Sequence, residues 1–247
     1  MTYKTVGILG GMGPEATLDC FGQIIKNTPA KTDQEHLRVV IDSNPAVPDR
    51  IAAILGDGGS PVPALIAGCR VLEKAGADFI IIPCVTVHFF LSKIQAQCQL
   101  PILSIIDEVA ETVRREIPET RTIGLMGTIA TIKSGLFQKR LAEENINTLP
   151  PDSAAHAKII DAIKDIKDIR SPRSRSEITT DLIDAARSLI DKKPDGAQAI
   201  IAGCTEIPLA LSQKHLPVPY FDSLTILARA AIRHAGKTPV DLNNSRC

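Results

Sequence analysis

The feature that most constrains this chain is that it repeats itself. Thr5–Gly11, TVGILGG, returns 117 residues later as Thr122–Thr128, TIGLMGT. Gly76–Cys84, GADFIIIPC, returns after 120 residues as Gly196–Cys204, GAQAIIAGC, and Leu100–Asp107, LPILSIID, is echoed by Leu216–Asp222, LPVPYFD. One short match is within the reach of chance, because buried strands draw on the same few residues. Three in the same order at nearly one offset indicate a tandem duplication. Each copy alternates short apolar runs with helical patterns, which is the pattern of βαβ units and of parallel sheets covered on both faces. The expected fold class is therefore α/β, with two similar lobes related by a pseudo-twofold axis, each a mainly parallel sheet flanked by helices. The boundaries read as an N-terminal lobe over 1–116, a C-terminal lobe over 117–225, and a terminal helix and tail over 226–247. The C-terminal helix has the option of crossing over onto the first lobe.

Strands are predicted at 5–10, 37–42, 78–83 and 101–105 in the first copy, and at 122–127, 198–203 and 218–221 in the second. Helices are predicted near 14–27, 61–75, 86–97 and 107–116, then near 131–144, 153–168, 177–191 and 223–235. Ser60 and Pro61 offer an N-cap and a first helical residue after the glycine-rich GDGGSP. RSPRSRSE at 170–177 reads as a solvated connection between helices, with a mobile loop over a cleft as the alternative.

Composition removes several classes of function. Lys and Arg together number 28, as do Asp and Glu. A chain with no net charge carries no electrostatic footprint for nucleic acid or an anionic membrane. The start, MTYKTVGILGG, lacks the apolar core of a secretory signal, and no apolar run approaches the roughly 18 residues that span a bilayer. A cytoplasmic location is the expectation. Cysteines fall at 20, 69, 84, 98, 204 and 247 with no CxxC pair, so neither a metal site nor a disulfide framework is expected.

Two of those cysteines end the duplicated runs. Cys84 and Cys204 have a plain reading as small core hydrophobes. The other reading follows from parallel α/β sheets, which bind ligands beyond the carboxyl ends of their strands. Packed about a pseudo-twofold axis, the two lobes set these thiols across one cleft. Such a pair suits the removal of a proton from one face of a tetrahedral carbon and its return to the other. One sulfur is then the thiolate base and the other the thiol acid. Inversion by such a pair needs no cofactor. Near the start, Gly7, Gly10, Gly11 and Gly13 follow a strand and Asp42 ends the next, a weak match to a dinucleotide site whose spacing is not GxGxxG. A tight turn through Met12 and Gly13, offering backbone amides to a carboxylate at a helix N-terminus, is the simpler reading. His88 has two readings, orienting Cys84 or serving as a hydrogen-bonded structural histidine.

GILGGMGPEAT at 7–17, KTDQEH at 31–36, NPAVPDR at 44–50, GADFIIIPC at 76–84 and AGCTEIPL at 202–209 together resemble the cofactor-independent aspartate/glutamate racemase superfamily, and its aspartate racemases in particular. The resemblance spans nearly the whole chain. It implies two similar α/β domains, a small acidic amino acid bound between them, two-base chemistry without a cofactor, and a homodimer. Carried over by position, it assigns Cys84 and Cys204 as the acid/base pair and Arg50 as the grip on a substrate carboxylate. It also assigns Thr86, Thr205 and Glu206 to substrate binding or thiol tuning. A lysine that contacts the side-chain carboxylate in relatives corresponds to Lys167 or, in the other register, to Lys164.

One departure bears on the substrate. Relatives carry PCNTAH where this chain has PCVTVH, so Val85 stands in place of an asparagine and Val87 in place of an alanine. Valine supplies neither the donor nor the acceptor of an amide. A partner left buried and unpaired costs about 1–3 kcal/mol, with Ser43 or Asn44 as candidates to compensate. The departure therefore bears on the identity of the substrate rather than on the racemase chemistry, for which aspartate is the leading substrate. A glutamate or hydantoin racemase or related isomerase, an amino-acid-binding protein without turnover, and last a nicotinamide-dependent oxidoreductase stand as alternatives.

Overall fold

The duplicated runs form the inner strands of two sheets in the computed structural model, which describes residues 3–241. In the first half, β1 (Val6–Gly10) leads to α1 (Pro14–Asn27), then β2 (Val39–Ser43), α2 (Arg50–Leu55), α3 (Val62–Lys74), β3 (Phe79–Ile81), α4 (Leu91–Gln95), β4 (Ile102–Leu103) and α5 (Ile105–Glu116). In the second, β5 (Thr122–Met126) is followed by α6 (Ile129–Ser134), α7 (Leu136–Ala142), β6 (Asn147–Leu149), α8 (Ser153–Lys167), α9 (Arg175–Ile190), β7 (Ala199–Ala202), β8 (Tyr220–Asp222) and α10 (Ser223–His234). The sheet orders are β2-β1-β3-β4 and β6-β5-β7-β8, and all pairings are parallel. Two four-stranded sheets with the same winding are what a duplicated α/β unit builds.

The period of two along each strand explains why the runs are apolar throughout. Phe79 and Ile81 face a central core shared by both sheets, where they join Val6, Ile8, Ile123, Leu125, Ala199 and Ile201. Ile80 and Ile82 face the other way, against Leu65, Cys69 and Leu72 of α3. In the second sheet Ile200 and Ala202 pack outward against Ile159 and Ile163 of α8 and Leu182 and Ala186 of α9. Helix α10 packs against α1 and α5, so the last helix returns to elements of the first half. Among the described residues, no helix is long and apolar enough to cross a membrane.

The structure departs from the sequence expectations in five places. The helix expected over 86–97 is a 3-10 turn over Val85–Phe90 followed by the short α4, since the β-branched run Val85-Thr86-Val87 favours extended or tight conformations over an α-helical start. The helix expected over 131–144 breaks into α6 and α7 at Gly135, which sits at φ +67° in the left-handed region that stops a helix. Strand β6 is three residues at a sheet edge, too short to show a period. Helix α2 was hidden in a Pro-rich stretch, where Asp49 accepts a hydrogen bond from Ala52 N–H and starts it. Ser60 does not occupy the N-cap of α3: that place is taken by Pro61, while Ser60 Oγ accepts from Val62 N–H at 3.3 Å. The 170–177 stretch connects α8 to α9, with Arg173 bridging Asp165 and Asp181 and Ser174 closing a capping box with Glu177.

Candidate active site

Strand order decides where a ligand can sit. In each sheet the chain leaves the first strand to one side and returns on the other, so the loops after β1 and β3, and after β5 and β7, diverge and leave a crevice at their carboxyl ends. Those four loops carry Met12, Cys84, Thr128 and Cys204. All four residues line one cavity of about 30 Å³, together with Asp49, Arg50, Ile51, Val85, Thr86, Thr131, Lys167, Gly203, Thr205 and Glu206. A larger recess of about 450 Å³ lies between α1, α5 and α10, but no cysteine lines it. The smaller cavity is the one with a proton-transfer set, and we take it as the candidate site.

Both thiols are held by their own turns. Cys84 follows a tight turn in which its N–H bonds to Ile82 O at 2.7 Å, and its Sγ lies 3.4 Å from Thr86 Oγ1. Gly203 N–H donates to Met126 O at 2.6 Å, and Gly203 O accepts from Thr131 Oγ1, which fixes the approach to Cys204. Thr205 Oγ1 donates across the cleft to Pro83 O at 3.2 Å, tying the second cysteine loop to the first. Cys84 and Cys204 are 5% and 7% exposed, so both are buried, and both line the cavity.

Charge is unevenly distributed about the two sulfurs. Cys204 Sγ donates to Glu206 Oε2 at 2.9 Å, and Glu206 Oε1 forms an ion pair with Lys167 Nζ at 3.2 Å, without an aligned hydrogen bond. Burial pushes the Cys204 thiol well above its ordinary pKa and the Glu206 charge adds to this, with Lys167 opposing. Burial also opposes the charge on Lys167, but Glu206, Cys204 and Cys84 outweigh it and raise the lysine's pKa. Lys164 pairs instead with Asp161 at 3.6 Å and its side chain is 72% exposed, which leaves Lys167 as the lysine in the cleft. Arg50 Nη1 donates to Val47 O and Pro48 O, while its Nε is buried with no acceptor. A buried guanidinium N–H with no acceptor from the protein is a donor suited to a carboxylate oxygen.

Of the residues expected at the site, Met12, Arg50, Cys84, Val85, Thr86, Lys167, Cys204, Thr205 and Glu206 share the cavity. Asn44 does not: its Oδ1 turns back to accept from Ala46 N–H, and its backbone lies beneath Gly11. Gly13 stands behind Glu206, where an added Cβ would meet Oε1 at 3.5 Å. Thr128 and Thr131 were not anticipated. The internal repeat held the signal for Thr128, which ends the second copy of TVGILGG and caps α6 through Thr131 N–H.

His88 is resolved as structural. Its Nε2 accepts from Ile105 N–H at 3.1 Å, and a backbone amide can only donate, so the ring proton resides on Nδ1 and is donated to Cys84 O at 3.0 Å. Burial holds its pKa below the ordinary 6.5, against the opposing hydrogen bonds. The unfolded chain therefore takes up a proton below pH 6.5 that the folded chain refuses. The contribution is whole above that pH and is lost as pH falls toward the depressed folded value. Urea midpoints should fall more steeply below pH 6.5 in the wild type than in His88→Asn; parallel slopes would count against a buried neutral imidazole. Each pKa unit of depression corresponds to about 1.4 kcal/mol.

Among the described residues there is no cluster of three metal-ligating side chains, and the five described cysteines are free, with Cys20, Cys69 and Cys98 buried in the cores and not lining this cavity. Cys247 lies outside the described residues.

The family described as Asp/Glu/Hydantoin racemase matches over residues 9–231. The broad specificity amino-acid racemase of Bacillus subtilis is 27% identical over 236 residues, covering 92% of this chain and 96% of that protein. The aspartate racemase of Picrophilus torridus superposes with a TM-score of 0.81 at 31% identity, covering 96% of each chain. A putative Asp/Glu racemase from Yersinia pestis superposes with a TM-score of 0.76 at 28% identity, covering 94% of this chain and 99% of that one.

Proposed function

The chain belongs to the Asp/Glu/Hydantoin racemase family, and from that premise we propose that it is a cofactor-independent isomerase inverting Cα of an amino acid, with aspartate as substrate. The observation that carries this reading is the convergence of two duplicated thiols on one cavity. One sulfur takes the Cα proton, so a C–H bond breaks and an S–H bond forms, while the electron pair passes into the carboxylate as an enediolate. The other thiol returns its proton to the opposite face. Arg50, with its unpartnered Nε, is the group for the carboxylate on which that charge develops. Lys167 is the remaining cation for a side-chain carboxylate. A cavity of about 30 Å³ holds little more than a water molecule. An amino acid thus enters only as the surrounding loops part, and closure around it excludes the water that would quench the intermediate.

A second reading, broader specificity, is favoured by two features. Met12, Ile51 and Val85 form an apolar part of the lining, and Glu206 already neutralises Lys167. One experiment tests both: incubation in D2O without pyridoxal phosphate, with Cα exchange followed by NMR and inversion by chiral chromatography over acidic and neutral amino acids. Exchange confined to aspartate supports the first reading, and exchange across neutral side chains supports the second. No exchange with any of them removes the racemase activity, and tight calorimetric binding in that case would recast the chain as an amino-acid-binding protein.

A further inference from the structure

The two thiols have unlike neighbours, and the difference is a matter of donors and acceptors. Glu206 is 3% exposed and its carboxylate can only accept. The 2.9 Å bond from Cys204 Sγ to Oε2 therefore requires a proton on sulfur. Removing that proton would set a thiolate against a buried carboxylate. Lys167 pairs with the other oxygen at 3.2 Å. At Cys84 the polar neighbour is the Thr86 hydroxyl at 3.4 Å, a group able to donate to a thiolate and carrying no charge to oppose one. The remaining charged groups that line the cavity are Asp49, which caps α2, and Arg50.

We propose that Glu206 is a positioning residue that keeps the proton on Cys204, so that the resting site holds Cys84 as the base and Cys204 as the acid. The proposal rests on the two-thiol reading above and gives it a direction. The enantiomer whose Cα–H faces Cys84 meets a site ready to act: its proton passes to Cys84 sulfur, and Cys204 surrenders the proton it shares with Glu206. The site is then left with Cys84 protonated and a Cys204 thiolate against Glu206, the less favourable of the two forms. Either the opposite enantiomer or proton exchange with solvent restores the first.

The test reads the thiols themselves and needs no turnover, so its failure is distinct from a failure of racemisation. A brief iodoacetamide pulse across a range of pH, followed by denaturation, capping with a heavy isotopologue and peptide mass spectrometry, gives the alkylation rate of each cysteine. In the wild type at pH 7.5, Cys84 is expected to react at least about tenfold faster than Cys204, because the thiolate is the form that is alkylated. Glu206→Gln preserves the shape but removes the charge, and should raise the Cys204 rate by about tenfold or more with little change at Cys84. Lys167→Met leaves the Cys204–Glu206 bond in place and should keep Cys204 protected. Cys204 reacting as fast as Cys84 in the wild type would overturn the proposal. So would an unreactive Cys84, an unmoved Cys204 rate in Glu206→Gln, or a Cys204 exposed equally by Lys167→Met, which would point to loosening of the site.

Discussion

Removing either sulfur should end inversion: Cys84→Ala and Cys204→Ala are each expected to lower turnover by about 10³-fold or more, since positioned general acid/base groups contribute on that scale. The two losses should be alike, because the two-base route needs a base on one face and an acid on the other within one turnover. Thermodynamics adds an internal control. Two enantiomers in water have equal free energy, so kcat/KM in the two directions must fall together, and any remaining one-way activity reports a contaminant. Stability should move little, since each thiol is a small side chain at the edge of its core and deleting it costs about 1 kcal/mol. Circular dichroism of the reaction with each enantiomer, beside a urea titration of each variant, separates these effects. Retention of inversion in either alanine variant would sink the two-thiol mechanism while leaving the fold untouched.

Why the cysteines were legible in the sequence, and their supporting residues less so, has a physical cause. A duplicated strand leaves its mark at a fixed offset, and strands of a parallel sheet end where ligands bind, so Cys84 and Cys204 could be located without knowing any contact. Helix α8 is different. Lys164 and Lys167 both lie near its end, and the choice between them turns on Glu206, which is 39 residues further on and is brought close only by folding. Thr128 and Thr131 act mainly on backbone, holding the turn before Cys204, and threonines with such duties look like any others in a sequence. The reach of Glu206 to Cys204, two residues away, depends on the tight turn after β7, which no periodicity announces. At the level of fold the same division holds. The long amphipathic helices and buried strands were readable from pattern, whereas β6 and the break at Gly135 depend on a few residues each.

The loop that carries Met12 into the site rests on Gly11, and Gly11→Ala should be among the most damaging single changes that add only a methyl group. Gly11 lies at φ +91°, and a Cβ there would sit 2.4 to 2.5 Å from the N, C and O atoms of Asn44. Those are backbone atoms of the chain leaving β2, held by Asn44 N–H to Gly10 O at 3.3 Å. No rotamer change can relieve such a contact. Gly56→Ala provides the matched control, because Gly56 lies at φ +92° with nothing within 4 Å of its added Cβ. That variant carries only the backbone penalty, about 1–2 kcal/mol for an L-residue in the left-handed region. Gly11→Ala adds displacement of β2 from β1, and a total near 4 kcal/mol is expected, at the large end for single substitutions. Urea unfolding of both variants gives the difference directly, and the racemase assay gives its consequence, since a shifted loop moves Met12 away from Arg50 and the thiols. If Gly11→Ala were no less stable than Gly56→Ala, the approach of the two loops would be soft, and the site would not depend on their contact for its shape.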